Sequence, residues 1–259
     1  MTQLVATHLA SELLDPANDE RMLPDVYPNI EVLRRLNLPQ GKARSMFAAS
    51  ARDLAFMSIP FLLAVHGDFI VKCIEMLQDA GVDQSEVVPE SLHLSAVHEH
   101  LESVTHALPV DLLSMFHLSR RLRNRIIHNG GRYGSKMGTT WWALSPDARA
   151  SWERLAQRPL HLGSAGDRLE INEGEVIATL AVVRALALHA NELLQPVIPR
   201  TYWATLVVDD YADVAPDRMK DKANLLRRLR GYAGHNYEPL NLTERELAAA
   251  VAERERTRP

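Results

Sequence analysis

Along most of the chain, apolar residues recur every three or four positions, the spacing of one buried helix face. The longest such run covers residues 42–80, where Phe47, Leu54, Phe61, Val65, Phe69, Ile70, Ile74 and Leu77 keep helical register. It predicts one long helix, kinked or divided at Pro60 and stopped at Gly81. Shorter helices are predicted over 4–14, where Asp15-Pro16 closes the element, over 91–106 between Glu90-Ser91 and Pro109, and over 110–128. A further long helix, "EGEVIATLAVVRALALHANELLQ", ends at Pro196 and Pro199. The pattern changes only in "PLHLGSAGDRLEIN", residues 159–172, where apolar and polar residues alternate on both sides of a Gly-Ser-Ala-Gly-Asp turn. That alternation predicts a small β-hairpin.

The ends of the chain read differently. Pro24, Pro28 and Pro39 punctuate residues 1–40, which are expected to form an arm packed on the main domain. Residues 200–259 hold a tryptophan-bearing segment, a basic helix near "KANLLRRLR" and a last helix. "TEREL", residues 243–247, opens that last helix with a capping box of Thr243 and Glu246. The expected architecture is all-α: an N-terminal arm over 1–40, a helical domain over 41–199 with one hairpin insertion, and a helical C-terminal extension over 200–259.

Composition narrows the function classes. The chain has 259 residues, 46% of them hydrophobic and 24% charged, which suits an ordinary globular protein with a sizeable core. Its net charge of −4 provides no global field for a polyanion, so any nucleic-acid site must be a local basic patch. A single cysteine, Cys73, excludes a disulfide within the chain and reads as a small buried hydrophobe in a reducing compartment. "MTQLVATHLASELLD" lacks the pattern of a signal peptide. The most apolar run, "LAFMSIPFLLAV", is well short of the roughly 20 residues a membrane helix needs. The expected location is therefore the cytoplasm, with no membrane segment.

Chemistry concentrates in "LSRRLRNRIIHNGGRYG", residues 118–134. On an ideal helix, Leu112, Met115, Phe116, Leu122 and Ile126 form the core face. Asn124 and His128 are four apart and stack on a polar face flanked by Arg121 and Arg125. Arg123 lies about 140° round the helix from His128, near the apolar face. There a guanidinium needs a partner, either an acidic residue or a second subunit. His128 falls in the last turn before "NGG". The helix C-terminus favours an imidazolium there, the arginines oppose it, and histidine is the side chain suited to proton transfer near neutral pH.

"RNRIIHNGG" resembles the signature of the HEPN superfamily: an arginine, a polar residue directly after it, and a histidine four to six residues beyond the arginine. Arg123, Asn124 and His128 occupy those positions. The arginine–histidine spacing occurs by chance roughly three times in a chain of this composition, and requiring the asparagine cuts that to about a tenth of one occurrence. The resemblance covers about residues 42–196 and implies a HEPN-like helical bundle. It further implies a homodimer paired through the 110–128 helix, and metal-independent RNA cleavage that leaves a 2′,3′-cyclic phosphate. Arg123, Asn124 and His128 would be the catalytic set. Arg120, Arg121, Arg125 and Arg132 would contact RNA, with no cofactor or metal. Toxin, phage-defence and stress-response proteins of this kind act on RNA and can be held by an antitoxin or regulatory protein. The resemblance equally allows a non-catalytic HEPN-like module that binds nucleotide or protein, or serves dimerisation.

Other candidates are weaker. "RGYAGH", Arg230 to His235, repeats the arginine–histidine spacing, but Gly231 replaces the asparagine and Gly234 disfavours a helix. "KANLLRRLR" reads as a solvated face before an RNA patch. His98, Glu102 and His106 share a helix face but lack the spacing of a zinc protease site. Trp141 and Trp142 read as core or lid before base-stacking residues. No phosphate-binding or dinucleotide-binding glycine pattern is present, and no nucleophile elbow.

Overall fold

The structure, a computed structural model, describes residues 2–14, 16–88 and 93–257. It is mostly helical, with no strand among the described residues. In chain order the helices are α1 (Thr2–Leu13), α2 (Leu23–Val26), α3 (Glu31–Leu36), α4 (Gln40–Asp79), α5 (Ala96–Val104) and α6 (Val110–His128), followed by α7 (Lys136–Trp142), α8 (Pro146–Ala156), α9 (Glu173–Val197), α10 (Arg200–Val214), α11 (Leu225–Asn236) and α12 (Glu244–Thr257). Two compact units result, each discontinuous in sequence. One is Met1–Asp68 with Leu108–Ala187; the other is Phe69–Ala107 with Leu188–Pro259.

In the first unit, α6 packs on α7 and α8. Its core holds Ile59 and Leu63 of α4, Phe116, Leu118 and Leu122 of α6, and Trp152 of α8. Fully burying side chains of this size stabilises by about 1.5–3 kcal/mol each. The N-terminal segment seats Leu14 and Leu23 against Ala43 at the start of α4. Buried Ser119 of α6 donates to the Met115 carbonyl and shares a hydrogen bond with Thr179 of α9. In the second unit, α10 packs on α11 and α12 around Val207, Leu229 and Leu247. Cys73 is buried there, and that burial pushes its thiol up to about 12.

Several local expectations meet the structure directly. The α6 helix occupies the predicted span, and Thr243 and Glu246 form the capping box, each backbone N–H meeting the other's side chain. Pro60 lies inside α4 without ending it, because buried Ala55, Ile59 and Leu63 hold the helix on both sides of it. Phe61 and Val65, in register with the apolar run, are exposed. The predicted residues Glu90 and Ser91, and Asp15, lie outside the described residues. By length and hydropathy, α4 and α9 also meet the requirements of membrane-crossing segments, a property shared with long core helices.

The hairpin expected over 159–172 is a loop instead. Its turn is present, with Gly166 at φ +98° and the Ser164 N–H bonded to Asp167 Oδ2 at 2.8 Å. Its two arms do not pair with each other. The backbone groups of Gly166, Asp167 and Leu169 bond instead to Tyr133 and Gly131, at 3.0, 2.8 and 2.7 Å. A backbone polar group bonds whichever complementary group is nearest, and here that is the segment leaving α6. The Tyr133 hydroxyl fastens the same loop by donating to the His161 carbonyl at 2.8 Å.

Candidate active site at the end of α6

The sequence stops α6 with Asn129, Gly130 and Gly131, and both glycines take the left-handed backbone conformation. The N–H groups of Asn129 and Gly131 both donate to the Arg125 carbonyl, at 3.2 and 3.0 Å. Gly130 and Gly131 adopt φ of +57° and +67°. Such consecutive left-handed residues satisfy the last carbonyls of a helix and turn the chain away. A Cβ on Gly131 would stand 2.5 Å from the Phe56 ring, so glycine is needed for both backbone and space. His128 is thereby left as the last helical residue, exposed, its imidazole hydrogen-bonded to no described residue.

Arg123 and Asn124 are half-buried one turn earlier. The Arg123 Nη1 donates to Asn124 Oδ1 at 3.0 Å. The helical wheel alone sets Arg123 apart from the polar face, but this bond brings its guanidinium to Asn124, which shares a face with His128. The acidic partner anticipated for Arg123 is absent among the described residues; the amide oxygen takes that place. The arrangement can do two things chemically. A guanidinium presents fixed N–H donors to a phosphoryl oxygen, and an exposed imidazole can accept or give a proton.

The other arginines divide. The Arg125 guanidinium lies against Gly134, where an added Cβ would meet it, so it braces the loop that follows the helix. Arg132 donates to the Gly166 carbonyl at 2.8 Å. Arg120 and Arg121 line a cleft of about 540 Å³ between α6 and α7, with Ser114 and His117 of α6 and Lys136 and Thr139 of α7. Lys136 and the cleft's hydroxyls were not among the residues singled out from sequence. A usable signal was present: Ser114, His117, Arg121, Asn124 and His128 alternate spacings of three and four and fall within about 80° on a helical wheel.

The weaker candidates are placed as follows. Trp141 is buried at 4% exposure, whereas Trp142 is 66% exposed with the Arg149 guanidinium 5.3 Å from its ring centre. His98 is buried, and no cluster of three His, Cys, Asp or Glu side chains among the described residues is placed to hold a metal ion. Glycines 231 and 234 lie inside α11, so Gly234 does not prevent the helix. The buried stripe Leu225, Leu229 and Ala233 outweighs a propensity cost of about 1 kcal/mol per glycine.

No family model matches the chain, and comparison with curated proteins and with solved structures finds no match.

Proposed function

We propose that the chain is a HEPN-like endoribonuclease that cleaves RNA without a metal ion, as a homodimer. The observation that carries this reading is the Arg123–Asn124 hydrogen bond one turn before the exposed His128. It gathers a phosphate-binding fork, an orienting amide and a proton-transfer group at one helix end. In the proposed reaction a histidine takes the proton of the 2′-hydroxyl, and the 2′-oxygen attacks the adjacent phosphorus. The 5′-oxygen leaves with a proton from an imidazolium, giving a 2′,3′-cyclic phosphate and a 5′-hydroxyl. Arg123 binds a non-bridging oxygen as charge develops on it. Two histidines serve this better than one, and a second copy meeting this one along α6 supplies the other. Ile127, one turn beyond Arg123 and 47% exposed, offers that copy an apolar contact. A cytoplasmic toxin, phage-defence or stress-response role, held by an antitoxin or regulatory protein, accords with such an activity.

The test is to incubate the purified chain with mixed RNAs in EDTA and identify the product ends. Cyclic phosphates and 5′-hydroxyls, from a protein with the mass of a dimer at micromolar concentration, are expected. Cleavage that vanishes with chelator and returns with magnesium or manganese would remove the mechanism, and a strictly monomeric mass would remove the shared site.

A further inference from the structure

We infer that the cleft between α6 and α7 is a second phosphate-binding subsite, holding the backbone of single-stranded RNA away from the phosphate that is cut. This rests on the ribonuclease reading and extends it to substrate binding. The first observation is charge. Arg121 and Lys136 are exposed on facing helices and form no ion pair with any described residue, and among the described residues no carboxylate lines the cleft. In a chain of net charge −4, that is a local basic patch of the kind a polyanion requires. The second is the donor set: the Ser114 and Thr139 hydroxyls stand beside the two cations, and neutral donors of this kind complete phosphate contacts.

The third observation is continuity. Arg121 shares its polar stripe with Asn124 and His128, seven residues or about 10 Å before the helix end. A strand lying along that stripe meets the cleft on one side and His128 on the other. The fourth is aromatic. Trp142 directly precedes cleft residue Ala143; the Arg149 guanidinium lies over one face of its ring, and the residue is otherwise 66% exposed. A basic groove beside an exposed aromatic face is how proteins hold single strands, the cations tracking the backbone and the ring stacking a base. A free phosphate or mononucleotide would use the same cations but gain nothing from the polar stripe that runs from Arg121 to His128.

The test separates binding from cutting by using a 2′-O-methyl RNA oligonucleotide, which lacks the attacking hydroxyl. Its affinity for the full chain is measured across a salt series in EDTA, with folding followed by circular dichroism. Lys136→Ala and Arg121→Ala should each flatten the dependence of log affinity on log salt by about 0.7, the value for one phosphate contact on a single strand. Trp142→Ala should weaken binding by about 5-fold or more without changing that slope. Arg218→Ala, an exposed cation outside the cleft, should change nothing. If the oligonucleotide binds and the slope is the same in Lys136→Ala and Arg121→Ala, the subsite is wrong, whether or not RNA is cleaved. If the slope falls as expected while unmodified RNA is never cut, the subsite stands and the nuclease reading fails. Inorganic phosphate bound in a Lys136-dependent way, with oligonucleotide binding indifferent to Lys136, would also overturn the proposal.

Discussion

Two helix ends in this chain carry an arginine five residues before an exposed histidine. Arg123 and His128 close α6; Arg230 and His235 lie near the end of α11. Their neighbourhoods differ in two physical respects. After Arg123 stands Asn124, whose amide oxygen holds the guanidinium; after Arg230 stands Gly231, which has no side chain to do so. The α6 helix stops on two left-handed glycines, one wedged against Phe56, while α11 runs through its glycines with open space around them. Spacing alone is therefore a poor guide to a site. What distinguishes α6 is a residue that fixes the arginine and a rigid stop that fixes where the histidine ends.

The largest expected effect separates the two histidines. His128→Ala should lower RNA cleavage by about 10²- to 10⁴-fold, the usual cost of losing a proton-transfer group, and leave the fold intact. Next come the arginines: Arg123→Ala should cost about 10²- to 10³-fold in turnover, as for a lost charge-stabilising donor, while Arg230→Ala costs nothing. Asn124→Ala should fall between wild type and Arg123→Ala, because in the proposed reaction Asn124 orients a group and transfers nothing. Equal losses at both arginines would break the comparison.

Stability changes sharpen it further. Gly131→Ala should destabilise by about 2–4 kcal/mol in urea unfolding, combining left-handed strain with overpacking against Phe56. A structural histidine offers a second contrast. His66 is buried against Phe116, and burial lowers its imidazole to about 4 despite a backbone hydrogen bond with Val183. It stays neutral in the folded chain while its unfolded counterpart binds a proton below about pH 6.5. Stability is thus full above about 6.5 and falls as pH drops toward 4, by about 3 kcal/mol from this group. His66→Leu should flatten that acid limb. The smallest effect is at the other helix: Gly231→Ala meets nothing within 4 Å and should stabilise by roughly 0.5–1 kcal/mol.

Much of this was legible in the sequence, for reasons that particular residues show. The span of α6 and its stop followed from apolar spacing and "NGG", because local chemistry sets a helix end. The capping box at Thr243 followed for the same reason. The loop at 159–172 was misread because alternation fixes which residues face the core but not which backbone pairs with which; residues 131–133 claimed those bonds. The continuation of α11 through Gly234 was missed because tertiary burial outweighed propensity. The wheel placed Arg123 near the apolar face, where it is half-buried, but a plot of Cα directions does not show that its long guanidinium reaches the Asn124 amide. The cleft was hidden because Lys136 lies fifteen residues beyond Arg121, across a turn whose geometry only the folded chain supplies.

The difference between the two helix ends is tested most directly by single-turnover cleavage of one RNA by wild type, His128→Ala and His235→Ala, side by side in EDTA. Wild type and His235→Ala should cut at the same rate, and folded His128→Ala should be slower by at least about 100-fold. A folded His128→Ala protein that cuts at the wild-type rate, or a His235→Ala protein that loses as much activity as His128→Ala, would contradict the account.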